Sequence, residues 1–154
     1  MGKDFDRMKH VSKGWGSELW IINSSLYCGK LLRFEPGKKC ALHYHGVKDE
    51  TFYIGSGIVV VHYCENVSDY IEQARGKIPM RYRILTEGES FHVPPGMVHM
   101  IEARTYTKIF EFSTRHDDLD SYYLKRGDEV DWGFGSVPQW VRDLEPIFDK
   151  GLES

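Results

Sequence analysis

The chain has 154 residues and a net charge of −3; 41% of its residues are hydrophobic and 28% charged. That is the composition of one soluble domain. It has no basic excess to track a phosphate backbone and no apolar run near the ~18 residues of a membrane-spanning helix, so neither nucleic acid nor a membrane is an expected partner. The N-terminal stretch Met1–Arg7 is charged and lacks an apolar signal region, and Asp6 stands where a myristoylation signal needs Ser or Thr. Cys28, Cys40 and Cys64 are an odd set without C-x-x-C spacing, which reads as reduced thiols in a cytoplasmic protein.

In chain order, residues 1–16 are polar and end in Lys13-Gly-Trp-Gly16. Strands are expected at 17–22, 26–34 and 38–45, separated by the turns Asn23–Ser25 and Glu35–Gly37. A fourth starts at Glu50 and runs to Ile54. Gly55-Ser-Gly57 is a hairpin turn, and the β-branched run Ile58–Tyr63 returns as a strand buried on both faces. Cys64–Pro79 reads as an insertion, a surface excursion, a lid or an interface, within which Val67–Gly76 has a short helical pattern with a Gly stop. Further strands are expected at 80–85, 90–93, 98–101 and 107–113. Many short strands with turn signals every ten residues or so mean a sandwich or barrel. Beyond Ser113 the chain turns polar, and Pro138–Asp149 reads as a short C-terminal helix capped by Ser136.

The chemistry concentrates in Gly37–Gly57. Strand alternation points His43 and His45 the same way, and Glu50 opens the next strand across a short polar turn. Two imidazoles and a carboxylate then converge from adjacent strands, three sides of a metal site. His99, after the tight Pro94-Pro-Gly96 turn, is a fourth candidate.

These spacings resemble the cupin family. Its first motif, G-x5-H-x-H-x4-E-x6-G, is matched at every fixed position by Gly37, His43, His45, Glu50 and Gly57. Its second, G-x5-P-x-G-x2-H-x3-N, is matched by Gly88, Pro94, Gly96 and His99, with Ala103 in place of the frequent Asn. The resemblance implies an all-β fold, a small antiparallel jelly-roll barrel over about residues 15–115, in a single domain 1–154 whose C-terminal extension is 116–154. It also implies one divalent metal ion, with the ligands near one mouth of the barrel. Three histidines and a carboxylate accept Mn, Zn, Fe, Co or Ni alike.

Within the cupins, His43-x-His45-x-x-Lys48-x-Glu50 is similar to a segment of D-lyxose isomerases. Trp15-Gly-Ser-Glu18 and Gly29-Lys30 look like the opening of mannose-6-phosphate isomerase-like cupins. Both resemblances imply aldose–ketose isomerisation of a sugar or sugar phosphate. That reaction needs a base for a carbon-bound proton. Glu111, an acid within the apolar strand Ile109–Phe112, is the base candidate; the alternative is a Glu facing solvent or a cation. Lys48 is either a group for a substrate oxygen or phosphate, or a surface lysine in a turn. His92 and His116 are weaker acid–base candidates, and Tyr44, Tyr53 and Trp20 form either a sugar-stacking wall or core. An Fe(II) dioxygenase and a non-catalytic sugar-binding cupin are the competing readings. A homodimer is expected, with Trp15, Trp20, Trp132 and Trp140 available to cover a sheet edge.

Overall fold

A computed structural model describes residues 8–74 and 80–127. The expected C-terminal helix, with Trp132 and Trp140, lies outside them. Among the described residues eleven strands form: β1 (Lys9–Lys13), β2 (Gly16–Asn23), β3 (Cys28–Phe34), β4 (Leu42–His45), β5 (Glu50–Ser56) and β6 (Ile58–Cys64), then α1 (Val67–Ala74), then β7 (Arg81–Thr86), β8 (Ser90–Val93), β9 (Val98–Ala103), β10 (Thr107–Ser113) and β11 (Ser121–Lys125). They make a six-stranded sheet in the order β1-β2-β3-β10-β5-β8 and a five-stranded sheet in the order β11-β4-β9-β6-β7. Every pairing is antiparallel. This is the expected all-β jelly roll. Among the described residues no helix is long and apolar enough to cross a membrane.

Alternation decides which side chains reach the interior. On β10, Thr107, Ile109 and Glu111 are buried while Lys108 and Phe112 are exposed. On β5, Glu50, Phe52 and Ile54 face in and Tyr53 faces out. The apolar part of these inward rows packs into one core with Leu32, Phe34, Leu42 and Leu85. Val67 and Tyr70 of α1 pack against that core from the side, and no residue of α1 borders the cavity described below. The lid reading of this excursion therefore fails for its described part.

Two strands lie beyond the expected barrel limits. β1, Lys-His-Val-Ser-Lys, is a polar edge strand held by backbone pairing to β2, so it carries no hydrophobic alternation to read. β11 pairs with β4 at the other sheet's edge, with Ser121 opposite His45 and Tyr123 opposite His43. The ligand strand is also shorter than expected, beginning at Leu42 rather than Lys38.

Gly57, the last glycine of the first motif, closes the β5–β6 hairpin with a φ of +93°. A Cβ there would sit 2.5 Å from the Tyr106 carbonyl oxygen. Gly57→Ala should lose about 1–3 kcal/mol to backbone strain alone. This predicts a lower urea midpoint at an unchanged denaturant slope.

Candidate metal centre

Alternation on β4 sends Leu42 into the apolar core and turns His43 and His45 to the cavity. β9 lies alongside, with His43 directly opposite His99. The second motif places His99: Gly96 adopts a φ of +85° and its N–H donates to the His45 carbonyl at 2.7 Å. The Pro94–Gly96 turn is thereby stitched to the strand that bears the other two histidines. One ring nitrogen from each of His43, His45 and His99 lies within 4.8 Å of the others.

The remaining nitrogens are accounted for. Nδ1 of His43 donates to the Ala41 carbonyl at 2.7 Å, Nδ1 of His45 to the Asp120 carbonyl at 3.1 Å, and Nδ1 of His99 to the Met97 carbonyl at 3.0 Å. A carbonyl only accepts, so each Nδ1 carries the proton and each Nε2 presents a lone pair. Metal-binding imidazoles are held in this way. Burial and the neighbouring imidazoles hold His43 well below the ordinary histidine pKa, and burial, with Lys48 and His99 nearby, brings His45 down to about 4. Both are therefore neutral at pH 7, the form that binds a cation.

Glu50 completes the group from the start of β5. Its Oε1 lies 3.0 Å from Nε2 of His99 and 3.6 Å from Nε2 of His45, and its Oε2 lies 3.1 Å from the Lys48 ammonium. Burial alone would raise this carboxyl, but the Lys48 ammonium pulls the other way, and the group is held well below the ordinary carboxylate value. Among the described residues, Glu50 Oε1 and His99 Nε2 are buried with no hydrogen-bond partner. A cation between these two buried acceptors would satisfy both. The donor set thus fits a divalent metal, with the three histidines as the nitrogen group and Glu50 as the added oxygen. Cys40 borders the same cavity, but burial pushes its thiol up to about 12, which keeps it a poor competing ligand.

Lys48 is not a surface lysine. Its side chain is 2% exposed, and its ammonium has three partners: Glu111 Oε2 at 2.7 Å, His116 Nδ1 at 3.0 Å and Glu50 Oε2 at 3.1 Å. With all three N–H groups engaged, Lys48 is a clamp between two carboxylates. Glu111 faces the interior, opposite Lys30 on β3 and Phe52 on β5. The solvent-facing alternative for Glu111 is thereby excluded. Burial and the charge of Glu50 raise the Glu111 pKa, against the pull of Lys48 and Lys30.

His43, His45, Glu50, Lys48 and Glu111 line a cavity of about 710 Å³, within the ~300–1,000 Å³ of small-ligand sites. Trp15, Glu18 and Lys30 of the upstream motif border it too. Trp15 stacks on Phe34 with ring centroids 4.0 Å apart, and Glu18 ion-pairs with buried Lys30 at 3.3 Å. The expected stacking wall is not assembled. Tyr53 is exposed on the outer face of its sheet, Tyr44 stacks on Tyr122, and Trp20 lies between Lys9 and Lys30 rather than on the cavity wall. His92 is exposed and bonded to Asp49.

Sequence reasoning missed Asp120. Its carboxylate accepts from the backbone N–H groups of Gly46, Val47 and Lys48 at 2.9–3.1 Å, while its carbonyl holds His45. One residue thus fixes the turn between two ligand strands and orients a ligand. Nothing in the run Asp117-Asp-Leu-Asp120 marks which aspartate does so, because its partners are backbone groups some 70 residues away.

The expected outcome for His45→Ala is a drop from one bound zinc per chain to none by elemental analysis, with the far-ultraviolet circular dichroism unchanged. Full zinc content in the variant would remove His45 from the site.

No family model and no curated protein matches the chain. Solved structures do. The capsular polysaccharide assembling protein CapF from Staphylococcus aureus superposes with a TM-score of 0.64 at 20% identity, over 77% of this chain and 32% of that one. A variant of Bacillus subtilis oxalate decarboxylase gives 0.63 at 18%, over 78% and 31%. The chain spans about a third of the length of both. An RmlC-like cupin from Shewanella frigidimarina gives 0.57 at 17%, over 73% of this chain and 88% of that one. At these identities the likeness speaks for architecture alone: the chain has the cupin fold, a jelly-roll barrel with a metal-type histidine cluster inside it.

Proposed function

We propose that this protein is a metal-dependent isomerase that moves a proton between adjacent carbons of a small sugar or sugar phosphate. The observation that carries the reading is Glu111: a buried acid on the cavity wall, clamped by Lys48 beside the histidine group. A divalent cation held by His43, His45, His99 and Glu50 would supply a Lewis acid for the carbonyl and neighbouring hydroxyl oxygens of such a substrate.

The protein's own groups divide the remaining work. Glu111 takes the carbon-bound proton and returns it to the neighbouring carbon through an enediol, while the hydroxyl proton passes between the two adjacent substrate oxygens. Its hydrogen bonds from Lys48 and Ser113 both fall on Oε2, which leaves Oε1 to receive the proton. Its upward-shifted pKa makes it a stronger base than a solvated carboxylate. Lys48 keeps Glu111 and Glu50 apart in role, because its ammonium bridges one oxygen of each and leaves the other oxygen of each free. Trp15 and Phe34 offer an aromatic wall for a sugar face. An oxygenase has no use for a carbon base on the wall, so the position of Glu111 favours proton transfer over the Fe(II) dioxygenase reading. A purely sugar-binding cupin would likewise leave the Glu111–Lys48 pair without a purpose.

Glu111→Gln should retain metal and lose turnover by about 10²–10⁴-fold. The assay is nuclear magnetic resonance of a panel of aldoses, ketoses and their phosphates in D₂O. Deuterium at the carbon next to the carbonyl is the expected product label. Product without label indicates hydride shift and removes the base role of Glu111. Oxygen uptake by the Fe(II) form with no sugar converted transfers the protein to the dioxygenases.

We also propose a homodimer. The outer face of the six-stranded sheet exposes Tyr53 and Phe112 on neighbouring strands, with the half-buried Phe110 directly opposite Tyr53. Light scattering at micromolar protein should give twice the 17.9 kDa chain mass; a strictly monomeric mass refutes the pairing.

A further inference from the structure

His116 opens the segment between β10 and β11, and the proposed chemistry leaves it without a task. It is nevertheless held on all sides. Its backbone N–H donates to Asn23 Oδ1 and its carbonyl accepts from Asn23 Nδ2, both at 2.9 Å. Its ring meets the Trp20 indole edge-on, with centroids 5.0 Å apart. Nδ1 lies 3.0 Å from Lys48 Nζ and Nε2 lies 2.8 Å from Asp118 Oδ1.

The partners set the tautomer. An ammonium only donates and a carboxylate only accepts, so Nδ1 holds the lone pair and Nε2 the proton. Burial, with Lys48 and Lys30 nearby, lowers the ring's pKa and keeps it neutral. His116 is therefore a fixed acceptor aimed at a buried ammonium. An ammonium has three N–H groups, and at Lys48 the other two go to Glu111 and Glu50. Without His116, one buried N–H loses its partner, and the head group has to turn towards other acceptors to avoid that cost. Glu50 would feel the turn directly, because Lys48 holds its Oε2 and so decides where Oε1 points.

We propose that His116 is a positioning residue for the metal centre: it accepts the third hydrogen bond of Lys48, aims that ammonium at Glu50, and so presents Glu50 Oε1 to the metal. The effect passes through two side chains, from His116 to Lys48 to Glu50, and Asp118 supports it from the surface by keeping the proton on Nε2. The inference rests on Glu50 as a ligand and not on the isomerase reading.

The test is zinc affinity of the full chain, measured by competition with a chromophoric chelator. His116→Leu fills the space without an acceptor and should bind zinc about tenfold more weakly or worse, in line with the ~10–100-fold cost of losing a residue that orients a ligand. His116→Asn returns an acceptor oxygen near the position of Nδ1 and should recover affinity to within about threefold of the parent. Wild-type affinity in the Leu variant overturns the proposal. So does an Asn variant as weak as the Leu variant, which would assign the effect to ring packing. Should His116→Leu not fold, the long-range ¹H–¹⁵N spectrum of the zinc-loaded parent decides: a proton on Nε2 is expected, and a proton on Nδ1 overturns the assignment. Zinc affinity is read with no sugar present, so an unproductive isomerase assay and a failure of this inference are separate outcomes.

Discussion

The structure turns on how the two oxygens of Glu50 are shared out. One is bound by the Lys48 ammonium, and the other is set among imidazoles that offer it lone pairs instead of protons. A carboxylate left this way in a buried site is stable only if charge is supplied on its second side. The three carbonyls that take the Nδ1 protons of His43, His45 and His99 enforce the same requirement, because they turn every ring's lone pair inward. The site thus has an acceptor excess built by backbone geometry, and a divalent cation is a species that would resolve it.

The fold supplies the convergence. β4 and β9 are neighbours in the five-stranded sheet, while β5 lies in the six-stranded sheet beside β10. The ligand set therefore spans both sheets, and its acidic half comes from the sheet that also carries Glu111. The segment 116–121 ties the sheets together at this point. His116 meets Lys48, Asp120 fixes the 46–48 turn, and Ser121 begins the strand that pairs with His45. These are polar contacts on an exposed segment. They act on a buried site because each ends on a group whose orientation the core has already restricted.

The convergence of the histidines and Glu50 was legible in the sequence because they follow the strand period: His43 and His45 are two residues apart, and Glu50 follows one tight turn later. The inward face of Glu111 followed from the apolar positions around it only once the burial of Ile109 fixed the phase of β10. The edge strands β1 and β11 were not legible. An edge strand is held by backbone hydrogen bonds to one neighbour and needs no alternating pattern, so Lys-His-Val-Ser-Lys reads as a polar leader. The roles of Asp120 and His116 were hidden for a related reason, since both act on partners about 70 residues distant in sequence. Lys48 was seen as chemically meaningful, but its immediate partners were not legible. Sequence spacing cannot show that an ammonium is already saturated by two carboxylates and an imidazole.

The most direct test of the account is X-ray absorption at the metal edge of the zinc-loaded full chain. Three imidazole nitrogens and a carboxylate oxygen at ~2.0–2.2 Å, with no sulfur contribution, is the result the geometry requires. A thiolate scatterer near ~2.3 Å, or a shell with fewer than three imidazoles, would contradict it.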